Sequence, residues 1–158
     1  MIREIRAQAI APALALLPSN MASPEAVAQL LAIGLQESGL VHRRQIGGPA
    51  RGLLQFETGG VRGVLTHEAS RSHALALCAA RGIEPTTAAV YASLERDDVL
   101  AMAIGRLLLW TDPKPLPGLG KADEAWALYL RTWRPGKPHR NRWDACYASA
   151  LREIRESA

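Results

Sequence analysis

The sequence predicts a mainly α protein folded as one domain, and three observations carry that expectation. Apolar residues recur at three- and four-residue spacing through most of the chain. Helix start and stop residues bracket those stretches, and no valine/isoleucine alternation is present that would build a sheet. A chain of 158 residues, 48% hydrophobic and 22% charged, is long enough to enclose one core and a cleft but too short for two full catalytic domains. The same composition excludes a disordered chain, a collagen-like repeat and a membrane channel.

The first expected helix covers residues 2–17, with Ile2, Ile5, Ala9 and Ala13 on one face and Pro18 as its stop. Arg3 and Arg6, the apolar run after them and the small residues at 19–23 loosely outline an export signal. Glu4 lies in the would-be basic portion, however, and Pro12 interrupts the apolar one. An ordinary helix packed on the domain is therefore expected over residues 1–20, with no export signal. Ser23-Pro24-Glu25 supplies an N-cap, a first-turn proline and a first-turn acid, and opens a helix that runs to about Ser38 before Gly39. Gly47 to Gly63 reads as a glycine-rich loop with short turns. Helices are expected over 69–81, closed by Gly82, over 87–94 and over 97–110. Pro113, Pro115 and Pro117 alternate and force an extended segment. A helix over 122–133, a break at Arg134–Pro138 and a last helix over 141–156 complete the chain. No stretch approaches the roughly eighteen apolar residues of a membrane span.

Nineteen Lys and Arg against fifteen Asp and Glu leave a net charge of +4, which favours acidic partners such as cell-wall polymer, nucleic acid or anionic lipid. Cys78 and Cys146 lie far apart with no ligand spacing around them, and read as two buried free thiols. His42, His67, His73 and His139 form no metal-ligand pattern, and no phosphate-binding glycine loop is present. No metal and no organic cofactor are expected.

Glu37 is the first candidate for chemistry. Val27, Leu30, Leu31 and Gly34 form the buried stripe of its helix, and Glu37 falls at the edge of that stripe, in the last turn. Desolvation and the negative end of the helix dipole both disfavour its ionised form and raise its pKa. A proton kept near neutrality is what a general acid needs to protonate a glycosidic oxygen. Position alone favours a rim glutamate whose carboxylate reaches water.

Glu37-Ser38-Gly39-Leu40, followed after nine residues by Ala50-Arg51-Gly52-Leu53-Leu54-Gln55, resembles the lytic transglycosylase and goose-type lysozyme family. The resemblance implies a lysozyme-like helical domain with a glycine-rich active-site loop. It makes Glu37 the catalytic acid and base, with Ser38 and Gln55 lining sugar subsites and Leu54 standing for a usual methionine. Gly52 would let the loop backbone approach the glycan closely. A family tyrosine that contacts the catalytic carboxylate maps onto Tyr129, while the asparagine after it is replaced by Leu130.

Seven of the eight aromatic residues follow residue 90. Trp126, Tyr129 and Trp133, at helical spacing, read as a core stripe, with one or two rings left to touch ligand. The segment from Trp133 to Trp143 contains Arg134, Lys137, His139, Arg140 and Arg142, and reads first as a solvated, proline-stiffened turn. A grip on phosphate or on the carboxylates of peptidoglycan stems is the sharper alternative.

What the resemblance implies is cleavage of the MurNAc–GlcNAc β-1,4 bond by a transglycosylase, with the peptidoglycan glycan strand as partner. One carboxyl suffices because the substrate's own 6-hydroxyl closes a 1,6-anhydro ring. Hydrolysis would ask for a second carboxyl, for which Glu57 and Glu68 are candidates. A small domain without export signal or anchor fits a bacteriophage particle, acting in the virion or host periplasm beside other virion proteins and opening the wall locally for DNA passage. An endolysin, an inactive lysozyme-like structural protein of the particle and a DNA-binding module are the rival expectations; no specific nucleic acid partner is expected.

Overall fold

The computed structural model describes residues 1–157 and is mainly helical. Helix α1 (Ile2–Ile5) passes through a π turn at Arg6–Ile10 into α2 (Ala11–Ala15), and a 3-10 turn at Ser19–Met21 leads to α3 (Pro24–Ser38). Then follow α4 (Thr58–Thr66), α5 (Arg71–Arg81), α6 (Thr87–Ser93), α7 (Asp98–Trp110), α8 (Ala122–Trp133) and α9 (Arg140–Glu156). No strand forms among the described residues; two isolated bridges pair Arg44 with Arg51 and Arg51 with Phe56.

Two elements depart from the sequence expectation. The N-terminal helix is not uniform: Pro12 sits in the first turn of α2, and a π turn precedes it. A proline inside a helix removes one N–H and crowds the preceding turn, which a wider turn accommodates. The segment still buries Ala9, Ile10, Ala13 and Leu14, packing against α7 and α3. The second departure is α4, which takes Thr58–Thr66 out of the expected glycine-rich loop. Val61 and Val64 are fully buried, and their burial outweighs the poor helix propensity of Gly59, Gly60 and Gly63.

Helices α3 and α7 form the apolar centre. Leu30, Leu31, Ile33, Leu100, Met102, Ile104 and Leu107 are all fully enclosed. Helix α3 begins as the sequence requires, with Ser23 Oγ accepting from Ala26 N–H at 3.0 Å. It ends on Gly39 in the left-handed region, φ 65°. Gly34 and Gly105 let the helices close on the intervening loop: a Cβ on Gly34 would meet Leu40 Cδ2 at 2.3 Å, and one on Gly105 would meet Leu54 Cδ1 at 2.3 Å. Helix α9 packs along α3, and its Trp143 is fully buried. Both cysteines are free thiols, Cys78 buried and Cys146 half-buried. No described helix is long and apolar enough to cross a membrane.

Candidate active site

Glu37 stands on the last turn of α3, half-buried, and Tyr129 Oη on α8 donates a hydrogen bond to its Oε1 at 2.7 Å. The tyrosine is placed by packing. Its ring is buried and stacks on Trp143 at 5.4 Å with 10° between planes, while Trp126 lies 5.4 Å away at 46°. An aromatic stack that fixes the ring fixes the hydroxyl at its tip. Burial pushes the Tyr129 phenol well above its usual value, and the Glu37 carboxylate pushes it further in the same direction. The phenol therefore stays a donor at any working pH.

Desolvation raises the Glu37 carboxyl above its ordinary 4.5. Three neighbours adjust it: the Tyr129 hydrogen bond and the Arg142 charge favour the carboxylate, and the Glu57 charge disfavours it. The outcome is a partly dry acid poised between two stabilisers of its anion and one opponent, an arrangement suited to giving and taking a proton in turn.

The loop after α3 is built by short pairings. Gln45 N–H donates to Ala50 O at 3.0 Å, Gly52 N–H to Arg43 O at 2.8 Å, and Arg51 and Phe56 exchange both backbone bonds at 2.9 Å. Gln55 sits in the left-handed region at φ 53°, which a residue with a side chain adopts at a cost of about 1 kcal/mol. Gln55 lines the same groove as Glu37, and its Nε2 donates to Gly52 O at 2.9 Å. Tyr91 Oη donates to Pro49 O and ties the loop to α6.

These pieces enclose a groove of about 390 Å³ lined by Glu37, Gln55, Glu57, Tyr129 and Trp133, and by Arg134, Lys137, His139 and Arg142. A larger hollow of about 720 Å³ adjoins it, sharing Gln55, Glu57, Trp133 and Arg134 and reaching Asp112 and the start of α4. The larger hollow holds neither Glu37 nor Tyr129; the smaller one holds both. Trp133, half-buried between them, donates from Nε1 to Leu54 O at 2.9 Å.

Of the residues singled out from sequence, Glu37, Gln55 and Tyr129 line one groove. Ser38, Gly52 and Leu54 do not. Ser38 is buried, and its Oγ donates to Leu53 O at 2.6 Å and accepts from Leu40 N–H at 3.1 Å. It fastens the loop to the helix end and leaves nothing for a sugar. Gly52 has φ 78°, and a Cβ there would lie 3.1 Å from Leu94 O, so its glycine answers to the core and not to a ligand. Leu54 is fully enclosed, and only its carbonyl serves, as acceptor for Trp133.

Sequence reasoning missed Gln36, and named Arg142 only as one of the basic residues of the segment after α8. Gln36 Nε2 donates to His139 O at 2.9 Å, and Arg142 Nη2 donates to Gln36 O at 2.6 Å. These two bonds lay the segment 134–142 along the groove, so it is a wall as well as a turn. The spacing of charges gave no signal of this, because the contact joins α3 to α9 across the fold. Glu68 lies outside the groove, and Glu57 lies in it. Among the described residues, no cluster of three or more His, Cys, Asp or Glu could hold a metal ion. Comparison with family models, with curated proteins and with solved structures finds no match for this chain, so its geometry carries the functional reading.

Proposed function

We propose that this protein is a peptidoglycan lytic transglycosylase with a lysozyme-like helical fold and one catalytic glutamate, cutting the MurNAc–GlcNAc β-1,4 bond. The observation that carries the proposal is the half-buried Glu37 carboxyl, hydrogen-bonded at 2.7 Å by Tyr129 inside a groove that Gln55 also lines. In this reading Tyr129 occupies Oε1, and the Glu37 proton resides on Oε2. That proton passes to the leaving glycosidic oxygen as the C1–O4 bond breaks. The Glu37 carboxylate, now stabilised by Tyr129 and by the Arg142 charge, takes the proton of the substrate's 6-hydroxyl as the O6–C1 bond forms. Glu37 ends as it began, protonated, and no water is consumed. Gln55 and Trp133 offer an amide and a ring face to the sugars.

The biological setting in this reading is local wall opening from a bacteriophage particle, in virion or host periplasm, with neighbouring virion proteins as partners. Zymography on purified peptidoglycan tests the catalytic assignment: wild type clears and Glu37→Gln does not. Equal clearing by both, or none by either, refutes it.

Glu57 favours a second reading, hydrolysis of the same bond, because its carboxylate lines the groove and its charge acts on Glu37. A second carboxylate can activate water. Mass spectrometry separates the two: 1,6-anhydro ends mark the transglycosylase, and reducing ends that disappear in Glu57→Gln mark the hydrolase.

A further inference from the structure

Residues 99–110 are apolar but for Arg106, and the cleavage reading makes no use of it. Arg106 is 4% exposed, the one buried Lys or Arg among the described residues, and no described carboxylate lies within ion-pair distance of it. The other Lys and Arg without an ion pair are exposed or half-buried, where water serves them.

Arg106 Nε donates to Met21 O at 2.8 Å, and the guanidinium lies over the Trp110 ring at 5.5 Å. Its terminal nitrogens, Nη1 and Nη2, donate to no protein atom among the described residues. Burial alone lowers the guanidinium to about 10, so it stays charged at neutral pH, and no acid offsets the shift. A buried charge without a counter-ion is costly. Stapling the Met21 carbonyl would need only a neutral donor, so the charge itself is left without a purpose inside the chain.

Arg106 lines a cavity of about 590 Å³ between the 3-10 turn, the end of α7 and the proline-stiffened segment after it. This cavity lies at the first turn of α3 and Glu37 at the last, about 20 Å along the helix. It shares no lining residue with the groove of Glu37 and meets the larger hollow only at Asp112 and Pro113. Leu109, Trp110, Pro113, Pro115 and Leu116 give it apolar walls, and Lys114 adds a second cation.

We propose that this cavity binds a small monocarboxylate with an apolar body, its carboxylate held by Arg106 Nη1 and Nη2 and its body against the leucine and proline walls. The proposal goes beyond the cleavage reading and does not depend on it. The volume suits a compact molecule. Two carboxylate oxygens match the two terminal nitrogens of a planar guanidinium. A phosphate dianion suits the cavity less, because Glu25 and Asp112 also line it and oppose a second negative charge. Asp112 is itself held by Arg131 at 3.0 Å and does not compete for Arg106.

Isothermal titration calorimetry of the full chain with phenylbutyrate, with its neutral amide and with phenyl phosphate tests the assignment. Phenylbutyrate should bind about tenfold more tightly than the amide, the size of one charge-assisted hydrogen bond. Arg106→Met should abolish that preference, with circular dichroism showing that the helices remain. Lys114→Glu alters an exposed residue and leaves every buried contact in place; it should weaken phenylbutyrate about threefold and leave the amide unchanged. No binding by the wild type, or equal binding of acid and amide, overturns the proposal. A preference that survives in folded Arg106→Met overturns it too, as does an affinity for the acid that Lys114→Glu does not move. Tighter binding of phenyl phosphate than of phenylbutyrate overturns the carboxylate assignment in favour of a phosphate site.

Discussion

Replacing Tyr129 by Phe separates the electrostatic role of its hydroxyl from its packing role. The ring is buried and stacked on Trp143 at 5.4 Å, and Phe keeps that contact, so the fold around α8 and α9 stays in place. What disappears is a 2.7 Å donor to Glu37 Oε1. A hydrogen bond to a charged acceptor contributes about 1.5 kcal/mol. Because that bond favours the carboxylate, its removal moves the Glu37 pKa up, by about one pH unit for 1.5 kcal/mol. Glu37 must start protonated, so the alkaline limb of the kcat profile should move to higher pH by that amount. The carboxylate formed after the first proton transfer loses the same stabilisation, so the plateau kcat should fall about tenfold. Turnover of solubilised glycan strands between pH 4 and 9 reads both effects, and thermal melting confirms the fold. An alkaline limb that stays put or moves toward acid, with kcat unchanged, would refute a coupling between the two side chains.

Three further outcomes follow from the same contacts. Glu37 holds its proton more tightly folded than unfolded, where its pKa is about 4.5, so its ionisation costs stability as pH rises through the folded value. Glu37→Gln should therefore be more stable than wild type at pH 8, with the two denaturation curves converging below pH 4. Ser38→Ala orphans the buried Leu53 carbonyl and leaves the Leu40 N–H with Gly34 O alone; a loss of about 2 kcal/mol in urea unfolding is expected, with a lower kcat as the Gln55 loop loosens. Gly105→Ala would drive a methyl to 2.3 Å from Leu54 Cδ1 and 3.3 Å from Leu30 Cδ2. That overpacking costs about 2–3 kcal/mol, the gain in helix propensity returns about 1, and a net loss of stability should appear in the same unfolding curves.

How much of this was legible in the sequence depends on the range over which each feature is decided. The α3 boundaries were readable because Ser23, Pro24 and Gly39 act within a few residues of themselves. Glu37 was readable as an edge residue for the same reason: helical spacing alone places it beside Gly34. Helix α4 was not readable, because Gly59, Gly60 and Gly63 argue against a helix locally and only the burial of Val61 and Val64 decides for one. The motif around Gln55 shows a further limit. Ser38, Gly52 and Leu54 sit within it as plainly as Gln55 does, yet they hold the loop from behind while Gln55 faces the groove.

A short motif records which residues occur together, and a wall and its supports occur together equally. What separates them is where the fold places each one: Gln55 lines the groove, while Ser38 and Leu54 are buried and Gly52 abuts Leu94. The basic segment 134–142 is the extreme case. Nothing local distinguishes Arg134, Lys137 and Arg142 from a solvated turn; the difference is made by Gln36, about a hundred positions away in the chain, whose side chain and carbonyl hold His139 and Arg142. A glutamate readable from its own helix thus receives its environment from three segments that only the fold brings together: Tyr129 on α8, Arg142 on α9 and Glu57 at the start of α4. Its acidity is accordingly a property of the tertiary structure, and variants at those distant positions should move it as surely as changes beside it in sequence.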